Sequence, residues 1–111
     1  MEFDIAVKRV DDAVILRPSG WFIYDVVPTF RAKVEDLLKD GARKMVVDLQ
    51  GVSFMDSAGV GALVSALTSL RKRGGELALA NLSPEVQRVL EITRLLKLFD
   101  VYEDVEKALK T

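Results

Sequence analysis

Between Met45 and Leu70 the apolar pattern changes its period. Met45 to Leu49 reads Met-Val-Val-Asp-Leu, a short and almost continuous apolar run, whereas from Ser57 onward Val60, Leu63, Val64, Leu67 and Leu70 recur at helical spacing. The first pattern suits a strand covered on both faces, and the second suits a helix with one buried stripe. A doubly covered strand needs neighbouring strands on both edges and helices above and below it. That requirement narrows the fold to an α/β layer architecture.

The flanking segments extend the alternation. Phe3, Ile5 and Val7 alternate with polar or small residues, and Ala13 to Arg17 carries Val14-Ile15-Leu16; Asp11-Asp12 between them is turn chemistry, so the two runs are expected to pair. Pro18-Ser19-Gly20 is expected to end the second strand. Pro28 suits the first turn of a helix, and Phe30, Val34, Leu37 and Leu38 line one face of it as far as Gly41, a C-terminal cap. Arg71-Lys72-Arg73 and Gly74-Gly75 close the helix that opens at Ser57. Glu76 to Ala80 is a further strand, and Ser83-Pro84-Glu85 starts a helix whose inner face is Val86, Val89 and Leu90. Leu98 to Lys110 supplies a short extended piece and a last amphipathic helix on Val105, Ala108 and Leu109. The expected fold is one α/β domain over residues 1–111: a mixed, mostly parallel sheet of about four to five strands with about four helices and right-handed crossovers.

Composition removes several functions. The chain has no histidine and no cysteine, which rules out Ser-His-Asp and Cys-His nucleophile systems and histidine-based metal sites. A net charge of -1 leaves no surplus of Lys and Arg for nucleic-acid phosphates. Met1-Glu2-Phe3-Asp4 has neither a basic leader nor an apolar core, and nowhere do about 18 apolar residues run together, so a cytoplasmic, unanchored protein is expected. Gly59-Val60-Gly61 lacks the remaining glycine and the Lys-Ser/Thr of phosphate-binding fingerprints. Asp48 and Asp56 could be read as an acid/base pair, but isolated carboxylates far more often cap helices or face solvent, and an enzyme is not expected.

The most informative stretch is Val46 to Gly61, Val-Val-Asp-Leu-Gln-Gly-Val-Ser-Phe-Met-Asp-Ser-Ala-Gly-Val-Gly. A strand ending in Asp-Leu, a loop, and Asp-Ser-Ala-Gly-Val-Gly opening a helix closely resemble the signature of STAS-domain anti-sigma factor antagonists. The likeness continues through Gly74-Gly75-Glu76-Leu77-Ala78-Leu79, Pro84-Glu85-Val86 and Leu95-Leu96-Lys97-Leu98-Phe99. The resemblance implies that Ser57, directly after the aspartate, is phosphorylated by a partner that is both an anti-sigma factor and a serine kinase. It also implies a phosphatase, a released sigma factor and no cofactor, while the charge balance and the lack of an apolar leader or long apolar run give no expected contact with nucleic acid or membrane. A non-catalytic STAS subunit of another assembly, such as a lipid-transport complex or a stress-signalling particle, is the alternative.

Asp56, Ser57, Ala58, Gly59 and Gly61 form the expected partner surface, with Ile23, Tyr24 and Asp25 beside it. The small residues after Ser57 either let a partner's backbone approach or ease packing against the sheet. Phe54 is expected to be buried, while Met55 is open between core and surface. One segment departs from the family pattern. Where relatives show a short Gly-x-Leu-Asp turn, this chain reads Gly20-Trp21-Phe22-Ile23-Tyr24-Asp25, so that Ile23 takes the aspartate position and Asp25 can substitute only across a two-residue bulge. Trp21, Phe22 and Tyr24 are either interface anchors or a hydrophobic staple over the first helix. A monomer is the default reading, and these aromatics leave a dimer open.

Overall fold

Asp11 and Asp12 turn the chain tightly between β1 (Asp4–Val10) and β2 (Ala13–Phe22), with Asp11 in the left-handed region at φ 54°. Aspartate tolerates that conformation better than most residues. In the computed structural model, which describes residues 2–111, this antiparallel hairpin begins a six-stranded sheet. Then follow α1 (Val27–Lys39), β3 (Lys44–Asp48), β4 (Val52–Met55), α2 (Ser57–Lys72), β5 (Glu76–Ala80), α3 (Pro84–Ile92), β6 (Asp100–Tyr102) and α4 (Val105–Leu109). The strand order is β1-β2-β3-β5-β6, and every pairing after the first hairpin is parallel.

The expected α/β class and the four helices are present. Two local expectations fail. Gly20 does not end β2, which runs on through Pro18 to Phe22. Pro18 lies past the last β2–β3 pair, Leu16 with Val47, and before the first β2–β4 pair, Gly20 with Val52. A residue without an N–H is tolerated in such a gap in the ladder. The extended end of β2 takes up β4, a strand that forms within the expected loop and brings the sheet to six.

Phe54 is the second correction: it is exposed, and Met55 is buried. Strict alternation would turn Phe54 inward with Val52, but the register jumps from Gly20–Val52 to Trp21–Phe54 and Phe22–Met55. Ser53 is thus an extra residue on β4. A bulge of this kind swaps the faces of the residues that follow it. Val52 and Met55 therefore both reach the core, and Phe54 points out.

The main core lies between one sheet face and α1, α2 and α3, around Phe22, Phe30, Leu63, Leu70, Leu79 and Leu90. Phe22 stacks between Phe3 and Phe30 with centroids 5.3 and 4.8 Å away, so for this aromatic the staple reading is correct. A smaller cluster on the opposite face joins Ile15, Val46, Ala78 and Ala80 to Ala108 of α4. Strands β3 and β5 are consequently covered on both sides, as the Met45–Leu49 run requires.

Helix α2 approaches the sheet through Gly59. A Cβ there would sit 2.3 Å from the Phe22 carbonyl oxygen and 2.8 Å from Met55 Cγ, whereas a Cβ on Gly61 would meet nothing within 4 Å. The first glycine is needed by the fold, and the second is not. Gly59→Ala is expected to destabilise the domain by about 1–3 kcal/mol through overpacking against backbone that cannot yield. Gly61→Ala is expected to stabilise it by about 0.5–1 kcal/mol through helix propensity. Urea unfolding of both variants checks this, and the reverse ranking would contradict the packing described.

Candidate functional site

The site is organised by Asp56, the N-cap of α2. One carboxylate oxygen accepts from the Gly59 N–H at 2.9 Å, and the other accepts from the Tyr24 N–H at 3.1 Å. The Asp56 N–H in turn donates to the Phe22 carbonyl at 3.4 Å. A single side chain therefore caps the helix and ties it to the short 3-10 turn, Tyr24–Val26, that follows β2. Capping explains why aspartate suits this position, because its oxygens satisfy N–H groups that the first helical turn leaves without partners.

Ser57 follows at the first helical position and is exposed. Ala58 is half-buried and packs against the main core, Gly59 is buried, and Gly61 is exposed. Of the small residues, Gly59 thus answers to packing against the sheet, while Gly61 leaves an open surface on the helix. Across the Asp56 bridge, Ile23 is half-buried, and Tyr24 and Asp25 are exposed. All eight residues singled out in the sequence lie on two segments that Asp56 joins. The link from the Ile23–Asp25 segment is made by the Tyr24 backbone rather than by an acidic side chain.

Asp48 has a different role. It is buried, and its carboxylate accepts from Arg17 Nε at 3.1 Å, Asn81 Nδ2 at 3.0 Å and the Gln50 N–H at 3.1 Å. These contacts clamp the ends of β3 and β5, and none of the partners is shared with Asp56. The two aspartates work as separate structural clamps. The sequence reading missed Arg17 and Asn81 in this network; the φ of 56° at Asn81, a conformation asparagine favours, was a signal only the backbone could reveal. Among the described residues there is no cluster of three or more acidic, histidine or cysteine side chains fit to hold a metal, and no helix is long and apolar enough to cross a membrane.

Replacing Asp56 with alanine removes both carboxylate bonds. The expected loss is about 1–2 kcal/mol in urea unfolding, with a smaller loss for Asp56→Asn because the amide oxygen still caps the helix. Unchanged stability of Asp56→Ala would contradict the bridge.

Comparison with known proteins places this geometry in a family. A model of the STAS domain matches residues 4–108. The anti-sigma-B factor antagonist of Bacillus subtilis is 32% identical over 101 residues, covering 91% of this chain and 92% of that protein. A crystal structure from Thermotoga maritima, 32% identical, superimposes with a TM-score of 0.89 and covers 96% of this chain and 92% of that one. The anti-sigma factor antagonist SpoIIAA in its unphosphorylated form is 27% identical with a TM-score of 0.82, covering 96% and 94% of the two chains. The Bacillus SpoIIAA structure in the phosphorylated form gives 25% identity, a TM-score of 0.73 and coverage of 98% and 97%. The match to the STAS model over nearly the whole chain, the shared fold and the relatives named as anti-sigma factor antagonists together establish that this chain belongs to the STAS-domain family.

Proposed function

We propose that this protein is an anti-sigma factor antagonist whose unphosphorylated form binds an anti-sigma factor serine kinase and so frees a sigma factor, and that phosphorylation of Ser57 switches the binding off. The observation that carries the proposal is the exposed Ser57 hydroxyl at the head of α2, held beside a fixed Asp56 and an open Gly61. The relatives named as anti-sigma factor antagonists, and a SpoIIAA structure in a phosphorylated form, support the same reading.

Electrostatics explain how such a mark could change binding without unfolding the domain. A phosphoryl group would bring about -1.5 to -2 charges to Ser57. At a helix N-terminus this charge is favoured by about 0.3–1 kcal/mol, and repulsion from the neighbouring Asp56 carboxylate is screened by solvent at this exposed position, so the modified protein stays folded. Against a partner the balance differs. A partner carboxylate about 4 Å away would be repelled by roughly 4 kcal/mol per pair of unit charges at an effective dielectric constant near 20, and the dianion would also have to shed water. The intermolecular penalty exceeds the intramolecular gain, and association is lost.

In this reading the chain performs no catalysis and binds no nucleotide as a cofactor. The kinase supplies ATP, the Ser57 oxygen attacks the terminal phosphorus, ADP leaves, and a phosphatase later restores the hydroxyl. In this reading the protein acts in the cytoplasm, with a monomer as the default and a dimer left open by its aromatics. The test is intact-mass analysis after incubation with the anti-sigma factor kinase and ATP. One phosphoryl group on the wild type and none on Ser57→Ala is expected. Phosphate on both proteins would place the switch elsewhere, and none on either with a demonstrably active kinase would reject the pairing.

A further inference from the structure

The two strands that end at the Ser57 site also carry an aromatic pair left largely uncovered. Trp21 and Phe54 face each other across β2 and β4 with centroids 6.2 Å apart in an edge-on arrangement, and they keep 47% and 50% of their surface exposed. The small cluster under α4 takes in Ile15, Val46, Ala78 and Ala80 but neither of these rings. With Tyr24, at 72% exposure, the pair makes up three of the seven large hydrophobic side chains that remain exposed among the described residues. Single exposed apolar residues are ordinary; a Trp, a Phe and a Tyr gathered at one end of a sheet are the composition of an interface anchor. Arg17, on the same face of β2 four residues before Trp21, keeps 44% of its side chain exposed while Asp48 holds it, and this supplies a polar border.

Position identifies the occupant. Phe54 precedes Ser57 by three residues, and Trp21 precedes Tyr24 by three, with the Tyr24 N–H fixed to Asp56. At no more than about 3.3 Å per residue, Phe54 lies within roughly 10 Å of Ser57 along the chain. A partner footprint of ordinary size, about 800 Å² on each side, has a radius of roughly 16 Å. A footprint that senses a phosphoryl group at Ser57 must include Ser57, and one that runs from Ser57 over the ends of β2 and β4 takes in both rings. We infer that Trp21 and Phe54 are the apolar anchors by which the anti-sigma factor docks, with Ser57 as the charge-controlled edge of the same contact. This rests on Ser57 being the switch of that partner. The rings supply affinity, and the serine supplies control.

Trp21 is the only tryptophan in the chain, so it can be observed by itself. Full-length protein carrying 5-fluorotryptophan is titrated with the anti-sigma factor that phosphorylates it, without ATP, while calorimetry records affinity for the wild type and Phe54→Ala. The expected result is a shift of the single fluorine resonance that saturates with binding, and an affinity about 30-fold weaker for Phe54→Ala, the size of a hot-spot truncation. Thermal unfolding of Phe54→Ala confirms that the variant is folded, and the fluorine signal on unmutated protein gives the answer independently of it. Binding heat with an unmoved resonance and no loss on Phe54→Ala would overturn the anchors and leave the Ser57 switch standing. A shift on concentrating the protein alone would assign the rings to a second copy and overturn the inference. Absence of binding by any anti-sigma factor kinase would bring down the switch and the anchors together.

Discussion

The carboxylate of Asp56 accepts two backbone hydrogen bonds from segments far apart in sequence, one from Gly59 inside α2 and one from Tyr24 after β2. Close approach of the helix makes this possible. Gly59 packs against the Phe22 carbonyl with no room for a side chain, which brings the first turn of α2 against the end of β2. The aspartate then fixes the direction in which Ser57 leaves the domain. With either element displaced, the head of α2 and the Tyr24 turn would no longer be held together.

Under the proposed function, rigidity at this end of the sheet matters because the protein would work by association. Phe22 sits in the core between Phe3 and Phe30, and Met55 is buried beside it, so the last residues of both strands are held from the inside. Their outward neighbours inherit that order without making many contacts of their own. A surface fixed in this way loses little conformational entropy on binding, and a change of charge at one exposed hydroxyl can then alter affinity while the scaffold stays put. Four residues before Trp21 on β2, Arg17 pairs with Asp48, which also holds Asn81 and so ties β2, β3 and β5 together.

Much of the fold could be read from the residues. The Met45–Leu49 run, the stripe from Val60 to Leu70, the Pro28 start and the Ser83-Pro84 cap each carry a local signal that the tertiary structure agrees with. The failures share one cause. Pro18 and Gly20 look like a stop only because the strand's next partner, β4, is formed by residues more than thirty positions later. Phe54 looks like core only if β4 alternates strictly, and the extra residue at Ser53 depends on the pairing with Trp21. Asp56 and Ser57 were visible as a helix start, and their family resemblance marked them as a site. The bond from Tyr24 to Asp56 was not visible, because it is made by a backbone group and leaves no trace in residue type. Gly59 and Gly61 look alike in sequence and differ only in what lies opposite them.

The central claim is that one charge at Ser57 controls association and leaves the domain folded. Its most direct test is to compare unmodified and Ser57-phosphorylated protein in parallel, measuring affinity for the anti-sigma factor by calorimetry and unfolding by urea. The account predicts binding at least about a hundredfold weaker for the phosphorylated form, the equivalent of about 2.7 kcal/mol, with unfolding free energies within about 1 kcal/mol of each other. Equal affinities, or loss of binding that comes with loss of the folded state, would contradict it.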